Sequence, residues 1–261
     1  MRLRRALANL WLLVSIASGH ALGADYVAVG GGHFASVLPA DEKAADMIVA
    51  PFALRTAPVS NVEFLAFVIA HPAWQRDQVA RIFADEQYLA HWPRPGAIED
   101  AQRDQPVTHV SWFAAEAFCE SEGARLPSWL EWEFAAAADA TRKDARADPA
   151  WREQILSWYS RPSQAQLSAV GSGPANAYGI RNLHGLVWEW VDDFNALLVS
   201  ADSRDQNDPD RLKFCGAGAL SLRDLDNYAV LMRIAMLSSL KASDTTGNVG
   251  FRCARTGVGK S

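Results

Sequence analysis

Glu189 stands between two indoles in the stretch NLHGLVWEWVDDF, which runs from Asn182 to Phe194 with Asp192 and Asp193 just behind the glutamate. Oxygen donors gathered this closely suit a hard cation such as calcium, which accepts carboxylates, amide oxygens and backbone carbonyls in irregular geometry. The same residues also describe a loop packed onto a core by its aromatics, with the carboxylate capping or salt-bridging that loop. Residue types leave both open.

Soft ligands are scarcer. The chain has three cysteines, Cys119, Cys215 and Cys253. In an oxidising compartment two of them can pair, which leaves an odd thiol, and spacing does not say which two. Met232 and Met236, at i and i+4, offer thioethers that could join Cys215 around copper(I), although methionine more often fills a core. His33, His71, His91, His109 and His184 are scattered, with no pair at the short spacings that put two imidazoles on one helix or strand face. His184, inside the Asn182–Phe194 stretch, faces a cleft, solvent or a backbone partner. Glu131 and Glu133 flank Trp132 and point to different helix faces, so they do not form an acid/base pair. Glu131 reads as a cap and Glu133 as the structural partner of an arginine. The NDPDRLKF segment lacks the glycine and terminal glutamate of an EF-hand and reads as a turn.

The elements that must position these groups follow from caps and breakers. Arg2, Arg4 and Arg5 precede an apolar run from Ala6 to about Ala17, with Ala21 and Gly23 before a cleavage point, which predicts a signal peptide over 1–23 and a mature domain over 24–261. The run is too short to span a bilayer, and no later segment is long and apolar enough to anchor the chain. Arg4-Arg5 leaves general and twin-arginine export both open. Without the leader, 22 basic residues face 30 acidic ones, a net charge of −8 that repels nucleic-acid phosphates. The expectation is therefore a soluble exported protein with no nucleic-acid partner and no membrane span.

Ser60 with Glu63 forms a capping box for a helix with Phe64, Leu65, Phe67 and Val68 inward and Pro72 as its stop. Ser111 caps a second helix, apolar at Phe113, Ala114, Ala117 and Phe118 and closed by Gly123. Ser128 with Glu131 boxes a third. Irregular structure with short helices is expected from His71 to Gln105, a helix plus loop from Asp139 to Gly173, and alternating extended and turned segments from Phe214 to Arg255. No repeat or linker divides the chain.

Four blocks, PVSNVEFLAFV, PVTHVSWFAAEAFCESEGARLPSWLEWEFAAAA, NAYGIRNLHGLVWEWVDDF and GFRCAR, resemble in order and spacing the formylglycine-generating enzyme family, also called sulfatase-modifying factors. The resemblance covers nearly all of the mature chain. It implies an α+β fold of the C-type lectin-like kind with long irregular loops. It implies a calcium site with Asn182 and Glu189 as side-chain ligands and Gly185 and Val187 as carbonyl ligands, although Leu186 departs from the family's asparagine. It also implies a disulfide between Cys119 and Cys253. Members that oxidise a substrate cysteine to formylglycine bind copper(I) through two closely spaced cysteines, and here the matching region carries Cys215 alone, before Gly216. That departure points away from the oxidase and towards an exported, calcium-stabilised maturation or accessory protein with a protein or peptide client in the periplasm. Branches similar to this one look like helpers of copper or denitrification enzymes. The alternatives are an oxidase using Cys215 differently and a tailoring enzyme similar to the periplasmic pyoverdine-maturation member. Oligomeric state is not fixed by these residues.

Overall fold

The computed structural model describes residues 25–38, 46–160, 166–196 and 228–257. The leader, Cys215 and the turn at Asn207–Asp210 lie outside the described residues. Near its two ends the chain meets in one antiparallel sheet of order β1-β4-β7, built from β1 (Tyr26–Val29), β4 (Phe52–Arg55) and β7 (Ala254–Thr256). Val29 registers with Phe52, and Leu54 with Ala254. A hairpin of β2 (Gly32–Phe34) and β3 (Met47–Val49) extends from it. Gly31 makes that excursion possible: its φ is +67°, and a Cβ would come within 2.2 Å of the Val49 carbonyl.

Helix α1 (Asn61–Ala70) starts at the Ser60/Glu63 box and buries Phe64, Phe67 and Val68. Helix α2 (Trp112–Ser121) is capped by Ser111. The rings of Phe64, Phe67, Phe118 and Phe251 interlock at centroid distances of 5.3 to 6.0 Å, which joins both helices to the segment before β7. The inward face of α2 differs from the expected one. Ala115 and Cys119 are buried, whereas Phe113 is half-exposed and meets Phe83 edge-on. Cys119 must face Cys253 across the core, and that turns Phe113 outward.

Helix α3 (Trp129–Ala136) carries the second capping box, and α4 (Pro149–Tyr159), capped by Asp148 with Pro149 in its first turn, supplies the helix expected after Asp139. Between Phe214 and Arg255 the structure departs from the expected alternation, because Tyr228–Ser238 forms a helix, α5. Its Ala, Leu, Met and Arg residues are strong helix formers, and Arg233, Ile234 and Leu237 give it a buried stripe. A short parallel pair of β5 (Trp188–Glu189) and β6 (Val249–Gly250) closes the α+β architecture. Among the described residues no helix is long and apolar enough to cross a membrane.

Candidate functional site

Strand β5 carries Glu189 inward, and its neighbour Gly250 has no room for a side chain: a Cβ there would lie 2.7 Å from the Val107 carbonyl. The Glu189 carboxylate is fully buried. Arg252 donates from Nε to Oε2 and from Nη2 to Oε1, both at 2.8 Å, and Trp132 Nε1 donates to Oε2 at 2.8 Å. Arg252, equally buried, spends its remaining donors on the backbone carbonyls of Arg55 at 3.2 Å and Arg181 at 2.9 Å. A buried charge survives only when paired and hydrogen-bonded, and this two-point pair meets both conditions.

A second guanidinium lies alongside. Arg233 of α5 stacks on the Trp132 ring at 3.6 Å and donates from Nη2 to the Glu189 backbone carbonyl. Burial pushes its pKa down to about 10, against the opposing pull of the Glu189 charge. The flanking indoles serve packing. Trp188 stacks on Tyr159 at 4.7 Å, and Trp190 is buried with its Nε1 donating to the Val110 carbonyl at 3.0 Å.

The two side-chain donors of the calcium site expected there are engaged by the protein itself. Of the four residues, Glu189 is the one anion, and a guanidinium already neutralises it while three hydrogen bonds occupy its oxygens. Asn182, in a left-handed conformation at φ +58°, turns its Oδ1 to the Gly171 amide at 2.7 Å. Gly185 sits at φ +84°, where a Cβ would also press on the Trp158 ring at 3.1 Å, and the Val187 side chain is buried. Calcium takes six to eight oxygens with charge among them. Here the role of central cation belongs to Arg252.

Cys119 and Cys253 are both fully buried, with Cα atoms 5.4 Å apart and their sulfurs at disulfide distance, 2.03 Å. Residues 17–257 match the sulfatase-modifying factor enzyme 1-like domain. The chain belongs to that family.

Among sulfatase-modifying factor relatives, the formylglycine-generating enzyme of Streptomyces coelicolor is 35% identical over 188 residues, covering 63% of this chain and 58% of that protein. The chain therefore spans little more than half of that relative's length. The inactive C-alpha-formylglycine-generating enzyme 2 of Mus musculus is 27% identical over 94% of this chain and 91% of its own. The solved structure of PvdO from Pseudomonas aeruginosa superposes with a TM-score of 0.47 at 18% identity, covering 88% of this chain and 94% of that one.

The other sequence candidates resolve into structure. His184 is half-buried, with Nε2 donating to the Ala136 carbonyl at 2.9 Å and Nδ1 accepting from the Tyr159 hydroxyl at 3.1 Å. Trp132, Trp151, Trp158 and Tyr159 enclose its ring, and burial holds its pKa down near about 4. It is a satisfied core histidine. Glu131 completes its cap and binds Arg125 at 2.6 Å. Glu133 receives Ser36 Oγ at 2.5 Å, the Val37 amide at 3.0 Å and Trp129 Nε1 at 3.0 Å, with Arg146 farther off at 3.9 Å. Met232 and Met236 lie half-buried on α5, and Met236 packs against the core. The sequence reading missed Arg252, Arg233 and Trp132 as partners of Glu189. GFRCAR held the signal, but 63 residues separate its arginine from the glutamate.

Proposed function

We propose that this sulfatase-modifying factor chain is an exported maturation or accessory protein that holds a protein or peptide client and does not perform copper-dependent oxidation of a cysteine. One observation carries this reading: of three cysteines, two face each other in the core at disulfide distance, so a single thiol, Cys215, is left for chemistry. Copper(I) held for that oxidation needs two thiolates, the soft donors it prefers. A bond between those two sulfurs would leave Cys215 no companion thiol in the chain. The near full-length match to a mouse relative named as inactive supports the same conclusion. An exported location agrees with the basic, then apolar, leader and with a disulfide that persists in oxidising surroundings.

The test is direct. Mature protein is incubated with copper(I), oxygen and a peptide carrying a cysteine-x-proline-x-arginine motif, and the peptide mass is followed. No aldehyde product is expected; conversion of the cysteine to formylglycine would overturn the proposal. The same preparation, titrated with copper(I) as wild type and as Cys215→Ser, asks whether the remaining thiol handles the metal without oxidising a substrate.

A further inference from the structure

His91 and His109 are 18 positions apart in the sequence and share no element, yet their rings stack 5.0 Å apart at an interplanar angle of 26°. Two left-handed residues build this approach. Leu89 at φ +49° and His109 at φ +52° are joined by the Leu89 amide donating to the His109 carbonyl at 2.9 Å, while the His109 amide donates to the Thr246 carbonyl at 2.9 Å. Such conformations are costly away from glycine and persist only where surrounding contacts enforce them. Here the turn is clamped from two sides. Arg76 Nη1 donates to the carbonyls of Leu89 at 3.2 Å and Trp92 at 2.8 Å, and Asn61, the first residue of α1, accepts from Trp92 Nε1 at 2.9 Å.

The proton on neutral His91 can be placed. Asn61 Nδ2 donates to the carbonyls of Gln102 and Gln105 at 3.0 and 3.3 Å, so Oδ1 is the Asn61 atom that faces His91 Nε2 at 3.3 Å. Nε2 is therefore the donor, and Nδ1 carries a bare lone pair. That Nδ1 is sealed from solvent without a hydrogen-bond partner. A neutral ring leaves one weak acceptor unmet there. An imidazolium would leave a charged N–H pointing at no acceptor, which is far more costly. The charges around the stack add to that asymmetry. Arg76 and His109, the chargeable groups beside His91, both oppose a proton on it. Asp85, fixed by Thr245 and the Gln87 amide, and the Gln87 backbone favour a proton on His109, against the burial of that ring. A proton accepted by His109 then repels a second one on the ring stacked against it.

We propose that the stacked pair is an acid-sensitive latch on the irregular segment between α1 and α2. Closed, the two neutral rings lie against each other and the Leu89–Trp92 turn stays docked on Asn61. Open, both rings meet water and bind protons that the closed form excludes, so acid draws the turn away from α1 while the core remains folded. Tyr88, Leu89 and Trp92, all buried in the closed form, are the apolar residues that opening uncovers. Linkage sets the size of the effect. A ring kept neutral when closed and ordinary when open makes opening about tenfold easier for each pH unit below about 6.5. The latch does not depend on the client-holding function.

Amide hydrogen exchange of the mature protein, followed by NMR at several pH values from neutral to mildly acid and corrected for intrinsic exchange, reads the latch directly. The reporters are the amides of Leu89, Trp92 and His109, which donate to His109, Leu89 and Thr246, and the sheet amide of Arg55, which donates to Cys253, reports on the core. The three latch amides should be less protected than Arg55 at every pH, and their protection should fall about tenfold per pH unit below about 6.5. His91→Gln, which keeps a donor for Asn61 and cannot titrate, should flatten that dependence, and His184→Gln should leave it in place. Equal protection of the latch amides and Arg55, protection independent of pH, or an unchanged slope in His91→Gln would overturn the proposal. Nitrogen-15 shifts of the His91 ring give a second reading that needs no variant: the neutral Nε2–H form should persist in the closed turn at mildly acid pH, and a charged His91 with the latch amides still protected would equally overturn it.

Discussion

Glu189 shows what burial does to a carboxylate. Its two oxygens meet Arg252 and Trp132 in a fully desolvated setting, where removing one partner strands the other charge. Glu189→Gln, which leaves Arg252 buried and unpaired, should cost about 3–5 kcal/mol of unfolding free energy, measured by urea titration. Adding calcium or a chelator should not move the melting temperature of the wild type, and a clear rise with calcium would restore the ion to the loop. His184 is the second residue-scale case. Burial lowers its pKa from 6.5 to about 4, so the folded state binds fewer protons than the unfolded chain between those values. Its contribution is fully present above the unfolded value and is lost as pH falls from 6.5 towards 4. His91, lowered to about 4 mainly by burial, acts in the same window. Unfolding free energies measured from neutral to mildly acid pH should therefore fall, and His184→Gln should reduce that slope without abolishing it.

Among the elements, α1 and α3 begin with reciprocal boxes that the sequence spelled out, and the structure closes both. Ser128 Oγ accepts the Glu131 amide at 3.2 Å while the Glu131 carboxylate accepts the Ser128 amide at 2.9 Å. Ser128→Ala should cost about 1 kcal/mol by chemical denaturation, the usual loss for an N-cap. Glu131→Ala should cost more, because the same carboxylate also binds Arg125 at 2.6 Å. Caps are local, with donor and acceptor three residues apart, and so they are visible in sequence. Helix α5 was not: its stripe is legible only once Arg233 is known to lie inward on Trp132. A buried arginine looks like a surface residue until its aromatic partner is placed.

For the molecule as a whole, the tie open to a covalent bond is the Cys119–Cys253 pair, at disulfide distance and 134 residues apart. Closing a loop of that length restricts the unfolded chain by about 4 to 5 kcal/mol on the chain-entropy model. Cys253→Ser, or reduction under native conditions, should lower stability by that order in a melting or urea experiment. A negligible change would mean that the interlocked phenylalanines alone hold α2 against the segment before β7.

The sequence by itself determined the α+β family scaffold, the boundaries of the first three helices, the caps, and the shortage of thiols. These depend on residue types and on spacings of a few positions, where the chain's own geometry fixes who meets whom. Tertiary structure decided the rest: that Glu189 answers Arg252, that Phe113 turns outward, and that His91 reaches His109. Each is a contact between residues distant in the chain, chosen by which groups share a desolvated space. A carboxylate in NLHGLVWEWVDDF is equally ready for calcium or a guanidinium, and only the fold delivers the guanidinium first.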